Sequence, residues 1–131
     1  QQIRDDLRGE FRGRLHFDPP TRALYATDAS PFQVTPHGVA VPEDEADLRA
    51  LAKYAADAGL PLVPRGAGTG LAGEALGPGL VVDLSTHFRG PPAPSGDRVT
   101  VPVGVTHAEL NAALAPHGRR FAPDPASSQT C

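Results

Sequence analysis

The fold is decided by residues 62–73, which read Leu62-Val63-Pro64-Arg65-Gly66-Ala67-Gly68-Thr69-Gly70-Leu71-Ala72-Gly73. A short apolar run enters this stretch, and four glycines follow within eight residues. Glycine permits positive φ angles and a close approach of the backbone to a ligand. Consecutive N–H groups without side-chain cover form a nest for an anion, most often a phosphate. The stretch therefore indicates a strand that ends in a phosphate-binding loop, called here the glycine loop (residues 66–73).

Two side chains add chemistry to the glycine loop. Arg65 stands at its mouth with a fixed positive charge, which can contact a phosphate or pair with a carboxylate. Thr69 offers a hydroxyl group inside the loop. We expect the loop to hold the pyrophosphate of a dinucleotide, and a flexible surface turn is the alternative that the glycines leave open.

The glycine loop also contains the pattern GxGxxG, which is typical of Rossmann dinucleotide-binding domains. In that fold the glycines open a helix of about ten or more residues, and an acidic residue follows about 20 positions later. Here Gly77-Pro78-Gly79 interrupts the chain soon after Gly73, and Asp83 comes too early. The P-loop pattern Gly-Lys-Ser/Thr is missing as well. The context therefore argues against both plans.

Strands and a helix are predicted around the glycine loop. Residues 39–41 and 62–63 form two short apolar runs, each closed or opened by proline. The segment between them has a helical apolar face, with Asp44 as the expected N-cap and Gly59 as the expected C-cap. Asp47, three residues after Asp44, makes an imperfect capping box. The order strand–helix–strand predicts a βαβ unit with parallel strands.

Shorter elements are predicted on both sides of this unit. Before it we expect a helix at 2–11, a strand at 14–17 and one helical turn at 21–26. After it we expect a strand at 80–84, a loop at 89–97 and a strand at 98–105. Thr106 and Glu109 form a capping box that opens a second helix, which Gly118 ends. The predicted fold class is α+β (α/β): a small, mostly parallel sheet with a βαβ unit flanked by helices.

Composition describes a globular chain and excludes several functions. Its 131 residues, 40% apolar and 21% charged, suffice for one domain with a core. A net charge of −3 without a basic cluster argues against binding to nucleic acid or anionic membranes. No window reaches the roughly 20 apolar residues of a membrane span, and the charged N-terminus does not resemble a signal peptide. One cysteine, Cys131, excludes a disulfide within the chain. We expect a cytoplasmic protein.

Both ends of the sequence look cut. The chain contains no methionine, so Gln1 is not a translated start, and residues 123–131 read as a loop that stops before its next element. We therefore expect a fragment of a longer protein.

Residues 61–73 closely resemble the phosphate loop of FAD-linked oxidases of the vanillyl-alcohol oxidase and p-cresol methylhydroxylase type, and the likeness extends to four further segments. They are residues 25–30, 39–42, 103–105 and 123–128. The nearest branch looks like D-lactate dehydrogenase and the FAD subunit of glycolate oxidase, and the likeness covers most of the chain in order. It implies that residues 1–37 are an N-terminal helix and irregular lead-in. Residues 38–131 are then the first lobe of a two-lobed FAD-binding domain, without its second lobe and substrate domain.

The resemblance also implies the cofactor and its ligands. Main-chain amides of the glycine loop would hold the FAD pyrophosphate, and the Asp-Pro-Ala-Ser segment would lie along the flavin. The histidine that carries covalent FAD in some relatives corresponds to Thr69, so non-covalent FAD is expected. The implied cofactor-binding residues are Arg65, Gly66, Ala67, Gly68, Thr69, Gly70, Asp124, Pro125, Ala126 and Ser127. The ending 127–131 resembles large members fused to an iron–sulfur part, which implies such a cluster elsewhere in the full-length protein.

Three functions remain in competition. The first is the FAD-binding portion of a flavin-dependent oxidoreductase acting on a 2-hydroxy acid such as D-lactate or glycolate. The others are a stand-alone nucleotide- or phosphate-binding module and an α/β domain whose glycine loop is only structural. We favour the first, because the chain shows no catalytic residues or metal ligands, as suits a protein whose cofactor carries the chemistry. The expected partners are the hydroxy acid and the missing C-terminal part of the chain. Apolar surface that this missing part would cover could also pair the fragment with a second copy of itself. A partner could also hold the protein at a membrane, and the fragment alone is expected to be inactive.

Overall fold

A computed structural model describes residues 2–130, so the single cysteine, Cys131, lies outside the described residues. Its core is a four-stranded sheet of order β1-β2-β4-β3. The strands are β1 (Arg14–His16), β2 (Gly38–Val41), β3 (Leu62–Arg65) and β4 (Leu80–Asp83). β4 runs parallel to both β2 and β3, whereas β1 is antiparallel to β2. The predicted α/β class with a mostly parallel sheet is confirmed.

Helix α3 (Glu45–Ala58) connects β2 to β3 and forms the predicted βαβ unit. The Asp44 carboxylate accepts the Asp47 N–H at 3.0 Å, and Gly59 ends the helix with a φ of 63°. The two strands of the unit are not neighbours, because β4 lies between them and pairs with both. The strand predicted at residues 80–84, which is β4, is therefore the central strand of the parallel part of the sheet.

Strands β2 and β4 are buried on both faces, as their unbroken apolar sequences require. On one face Ala40, Leu80 and Val82 pack with Leu51 of α3 and with the N-terminal helix. On the other face, Val39, Val41 and Val81 form a smaller buried cluster. The side chains of Tyr25 and Val63 pack against this cluster. The second face is the side on which the polar groups described below collect.

Two short helices precede β2. Helix α1 (Gln2–Asp6) is shorter than the predicted 2–11, since the chain turns at Gly9, which has a φ of 87°. Helix α2 (Pro19–Leu24) begins before the predicted 21–26, because Asp18 caps it and proline is well tolerated in the first helical turn. Both corrections move a helix end by a few residues.

The segment after β4 departs most from expectation. The predicted loop at 89–97 is wrong in part, because β5 (Ala93–Ser95) pairs with β6 (Arg98–Thr100) in an antiparallel hairpin. The glycine that permits its turn, Gly96, has a φ of 61°. β6 ends at Thr100 rather than at residue 105. Helix α4 (His107–Leu114) follows, opened by the predicted Thr106–Glu109 capping box.

After α4 comes a 3-10 turn (Ala115–His117), and Gly118 closes it with a φ of 64°. Across residues 2–130, the helices are all too short or too polar to span a membrane.

The Asp47 carboxylate fastens the N-terminal segment to α3. This side chain is fully buried. Its Oδ1 accepts the Arg12 N–H at 2.9 Å, and its Oδ2 accepts those of Gly13 at 3.0 Å and Glu43 at 2.8 Å. The N–H donors replace the water that the buried charge has lost, and a carboxylate is the side chain that can accept all three.

We expect Asp47→Asn to lower the free energy of unfolding by about 2–4 kcal/mol, because an amide NH2 would face backbone N–H donors. Urea denaturation monitored by circular dichroism measures the change. The matched control is Asp57→Asn, which removes only an exposed pair with Lys53 and should cost less than about 1 kcal/mol. Equal losses in the two variants would contradict this account of Asp47.

Candidate functional site

A cleft of about 380 Å³ opens where the parallel strands end. Residues 66–70 of the glycine loop form one wall, directly after β3. Ser85, two residues after β4, lies on the floor, and Arg89, Gly104 and Thr106 line the other side. Ligands of open α/β sheets bind outside the carboxyl ends of the strands, and this cleft occupies that position.

The glycine loop presents free backbone donors. Within residues 2–130, no acceptor takes a hydrogen bond from the six consecutive N–H groups of residues 66–71. The loop is nevertheless anchored, because the Ala29 N–H donates to the Gly68 carbonyl at 3.1 Å and the Leu84 N–H to the Arg65 carbonyl at 3.0 Å. A fixed loop with unused N–H groups is the arrangement that receives an anion.

The glycines serve two different needs. A side chain at Gly68, which has a φ of 69°, would place its Cβ 2.3 Å from Arg65 Nη2. A Cβ at Gly70 would lie 2.4 Å from a carboxylate oxygen of Glu74. A Cβ at Gly66 would meet no protein atom within 4 Å. The positive φ of Gly68 favours glycine whatever the space around it, whereas a side chain at Gly70 would only displace the end of the flexible Glu74 side chain. Gly66 leaves open space at the cleft.

Among the cofactor-binding residues predicted at the glycine loop, Arg65 is the one that lies outside the lining of the cleft. Its guanidinium lies 5.2 Å from the ring centroid of Tyr25, within cation–π range. Among the residues described, no carboxylate oxygen comes within 4.0 Å of it, and its buried Nη1 has no hydrogen-bond partner. Of the two roles that the sequence left open, the ion pair with a carboxylate is not formed.

A polar network that the sequence did not reveal runs from Tyr25 to the floor of the cleft. The Tyr25 hydroxyl donates to Asp83 Oδ2 at 2.5 Å. Asp83 is buried. Its Oδ1 accepts two hydrogen bonds from Ser85, one from the backbone N–H at 2.9 Å and one from the hydroxyl group at 2.6 Å. Burial, and then the bond and charge of Asp83, raise the pKa of Tyr25 to about 12. Tyr25 and Asp83 are 58 residues apart, so no local sequence pattern could show this bond.

Asp28 also lies against the glycine loop. Its Oδ1 accepts the Ser30 N–H at 2.8 Å, a hydrogen bond that is common in turns begun by aspartate. Hydrogen bonding from Ser30 is the main cause that lowers the pKa of Asp28, and the positive charge of Arg65 lowers it further. The field of Arg65 thus reaches the residues around the loop.

The opposite wall is held by a second arginine. Arg89 forms an ion pair with Glu109 and donates to the Gly104 carbonyl at 3.1 Å. Glu109 also accepts the Thr106 N–H at 2.8 Å, and this bond is the main cause that lowers its pKa. Glu109 therefore caps α4 and also holds Arg89 at the wall of the cleft. The local sequence predicts the capping role but not the contact with Arg89.

Residues 124–127 lie apart from the glycine loop. All four are exposed, and Asp124 and Pro125 line a separate apolar groove of about 560 Å³. The segment is held on α4, where His107 Nε2 lies 2.6 Å from the Pro123 carbonyl oxygen. The next turn returns to the first cleft, since Gln129 and Thr130 line it. The structure thus brings residues 66–70 together and places 124–127 beside a different groove.

Over residues 2–130, no three His, Cys, Asp or Glu side chains gather into a group that could hold an ion.

Comparison with known proteins defines the class. Residues 36–131, which include the glycine loop, Ser85 and the capping box, match the family described as FAD binding domain. The chain belongs to this family, and its cofactor is FAD. The resemblance drawn from the sequence is confirmed.

Two groups of relatives are more specific. The chain is 38% identical over 123 residues to D-2-hydroxyglutarate dehydrogenase of Pseudomonas putida, a match that covers 90% of the chain and 12% of that protein. The Escherichia coli enzyme of the same name shows the same identity and coverage. Glycolate oxidase subunit GlcD of Escherichia coli is 31% identical over 128 residues, with 89% of the chain and 24% of GlcD covered. The chain thus spans about an eighth to a quarter of the length of these relatives.

Solved structures share the fold. Alkyldihydroxyacetonephosphate synthase superposes with a TM-score of 0.76 at 17% identity, over 98% of the chain and 28% of that protein. BBE-like 1 of Physcomitrella patens gives a TM-score of 0.67 at 19% identity, over 88% and 26% of the two chains.

The Tyr25–Asp83 bond predicts a pH effect. Because the pKa of Tyr25 is about 12 in the folded chain and about 10 when exposed, folding favours the protonated phenol. Its contribution to stability is complete below about pH 10 and is lost as the pH rises towards 12. The difference between the ultraviolet titrations of wild type and Tyr25→Phe isolates this group. Asp83→Asn should lower the pKa only part of the way, because burial is the largest cause; a return to about 10 would contradict this ranking.

Proposed function

We propose that this chain is the pyrophosphate-binding lobe of a flavin-dependent oxidoreductase that oxidises a 2-hydroxy acid. The observation that carries the proposal is the run of free N–H groups in an anchored loop at the mouth of a cleft. The names of the relatives, which mention D-2-hydroxyglutarate and glycolate, support the substrate class. Residues 38–131 would form the first lobe, and the remainder of a longer cytoplasmic protein would supply the second lobe, the substrate site and the electron acceptor.

The residues present fit the pyrophosphate of FAD. Two phosphates carry negative charge, and residues 66–70 offer main-chain donors without a competing acceptor. Thr69 adds a hydroxyl group at the same wall. Residues 124–127 remain predicted contacts of the flavin, and in this structure they lie beside the apolar groove, whose surface suits the edge of a planar ring. When bound, FAD would supply the acceptor for the hydride that carries both electrons away from the hydroxy acid, and the hydroxyl proton would pass to a base in the rest of the protein.

The chain's own part is binding and orientation. The loop N–H groups would fix the pyrophosphate, while Arg89, Glu109 and Thr106 keep the far wall of the cleft in place. None of these side chains needs to exchange a proton with the substrate. Catalytic residues would lie in the part of the protein that holds the substrate.

A stand-alone phosphate-binding module is the second candidate, and one observation favours it: the same free N–H groups suit inorganic pyrophosphate or ADP. The two candidates separate on the full-length protein. The enzyme should be yellow as purified or become so with added FAD, and should reduce a dye with D-2-hydroxyglutarate, D-lactate or glycolate. A colourless protein that binds pyrophosphate but ignores FAD would be a module, and the enzyme proposal would fail.

Gly66→Ala tests the loop itself. A methyl group there strains no backbone angle and touches no protein atom, so it acts only in the space that a ligand would use. We expect FAD to bind about tenfold more weakly, which corresponds to about 1.4 kcal/mol, with unchanged thermal stability. Flavin fluorescence quenching gives the dissociation constant.

Gly90→Ala is the matched control. Its added Cβ would lie 3.5 Å from Pro102, an ordinary contact, outside the 380 Å³ cleft. It should leave FAD affinity unchanged. Wild-type affinity in the Gly66→Ala protein would show that the pyrophosphate does not approach this wall.

A further inference from the structure

The Arg65 guanidinium lies directly behind the glycine loop. A Cβ built on Gly68 would fall 2.3–2.9 Å from three guanidinium atoms, Nη2, Cζ and Nε. The guanidinium therefore packs against the Gly68 backbone. Since Arg65 is not among the residues that line the cleft, its charge sits on the protein side of the loop.

The Tyr25 ring and its bond to Asp83 hold the Arg65 guanidinium in place without forming an ion pair with it. The Tyr25 ring lies 5.2 Å from Arg65 Cζ, and the Tyr25 hydroxyl is fixed by Asp83. Arg65 Nη1 is buried without a hydrogen-bond partner, and residues 2–130 bring no carboxylate within 4.0 Å of the side chain. Asp28, whose pKa the charge of Arg65 lowers, and Asp83, in register on β4, share its surroundings without forming an ion pair with it. The buried Nη1 therefore keeps a donor without an acceptor, which is unfavourable unless a ligand or a structural benefit offsets it.

We propose that Arg65 is the counter-charge of the bound pyrophosphate and attracts it through the glycine loop without contacting it. This inference rests on the proposed function. The loop N–H groups and the guanidinium would act in the same direction, because both place positive charge on one side of the anion. Screening by solvent is weak for a partly buried charge, so a separation of one backbone layer still permits a useful attraction.

A counter-charge and a structural support differ in the effect that a substitution of Arg65 should have. A counter-charge acts on ligand affinity and requires only a positive side chain. A support acts on the ligand-free fold and requires the planar guanidinium that packs on Tyr25 and Gly68. Arg65→Met keeps an unbranched apolar side chain but removes both the charge and the plane, whereas Arg65→Lys keeps the charge and removes the plane, so the comparison of the two variants isolates the charge.

The experiment measures FAD dissociation constants of the full-length protein by flavin fluorescence, and thermal unfolding of each ligand-free variant. We expect Arg65→Met to weaken FAD binding about 10- to 100-fold with an unchanged ligand-free melting temperature. Arg65→Lys should bind FAD within about threefold of wild type. Arg49→Met, which removes an equal charge from an exposed position on α3, should bind like wild type.

Each other outcome has a definite meaning. Wild-type affinity in Arg65→Met, or equal losses in Arg65→Met and Arg65→Lys, would overturn the counter-charge role. Failure of Arg65→Met to fold would identify a structural support and would overturn it as well. If the wild-type protein itself does not bind FAD, the proposed function fails, which is a separate result that the Gly66→Ala comparison also reports.

Discussion

The parallel pairing of β3 with β4 is the constraint on which the candidate site depends. It places Arg65 opposite Asp83, so that the glycine loop and the loop carrying Ser85 leave the sheet at the same edge. The buried Asp83 then reaches Tyr25 across the face of the sheet, and Tyr25 supports Arg65. Because these contacts follow from one register, a shift of β3 by one residue would turn Arg65 to the other face and separate it from Tyr25.

The glycine loop shows how one sequence pattern satisfies two demands. A side chain at Gly68 or Gly70 would meet the protein's own Arg65 or Glu74, whereas a side chain at Gly66 would meet no protein atom within 4 Å. Consensus patterns do not separate these demands, because each appears as the same residue. The unpaired N–H groups of the glycine loop are open to water or to a ligand, and they are the feature on which the proposed site depends.

Local signals could be predicted from the sequence, and distant ones could not. Asp44, Gly59 and the Thr106–Glu109 box were correct because a cap depends on a few neighbouring residues. The insertion of β4 between β2 and β3 and the Tyr25–Asp83 bond depend on which segments meet in space. The hairpin β5–β6 was missed because Pro94 stands inside it, and proline normally argues against a strand. The strand that ends in the glycine loop was predicted, whereas the packing of the Arg65 guanidinium against Gly68 and Tyr25 was visible only in three dimensions.

Pro64 has a consequence for the outer border of the sheet. Strand β3 is the last strand of the described sheet. The carbonyls of Pro61 and Arg65 accept hydrogen bonds from the β4 side, so the intervening alternate residues, including Pro64, direct their backbone groups away from β4. The donor that proline lacks is thus one that a fifth strand would need. The residue that leads into the glycine loop therefore also disfavours edge-to-edge pairing of β3 with a strand of another chain.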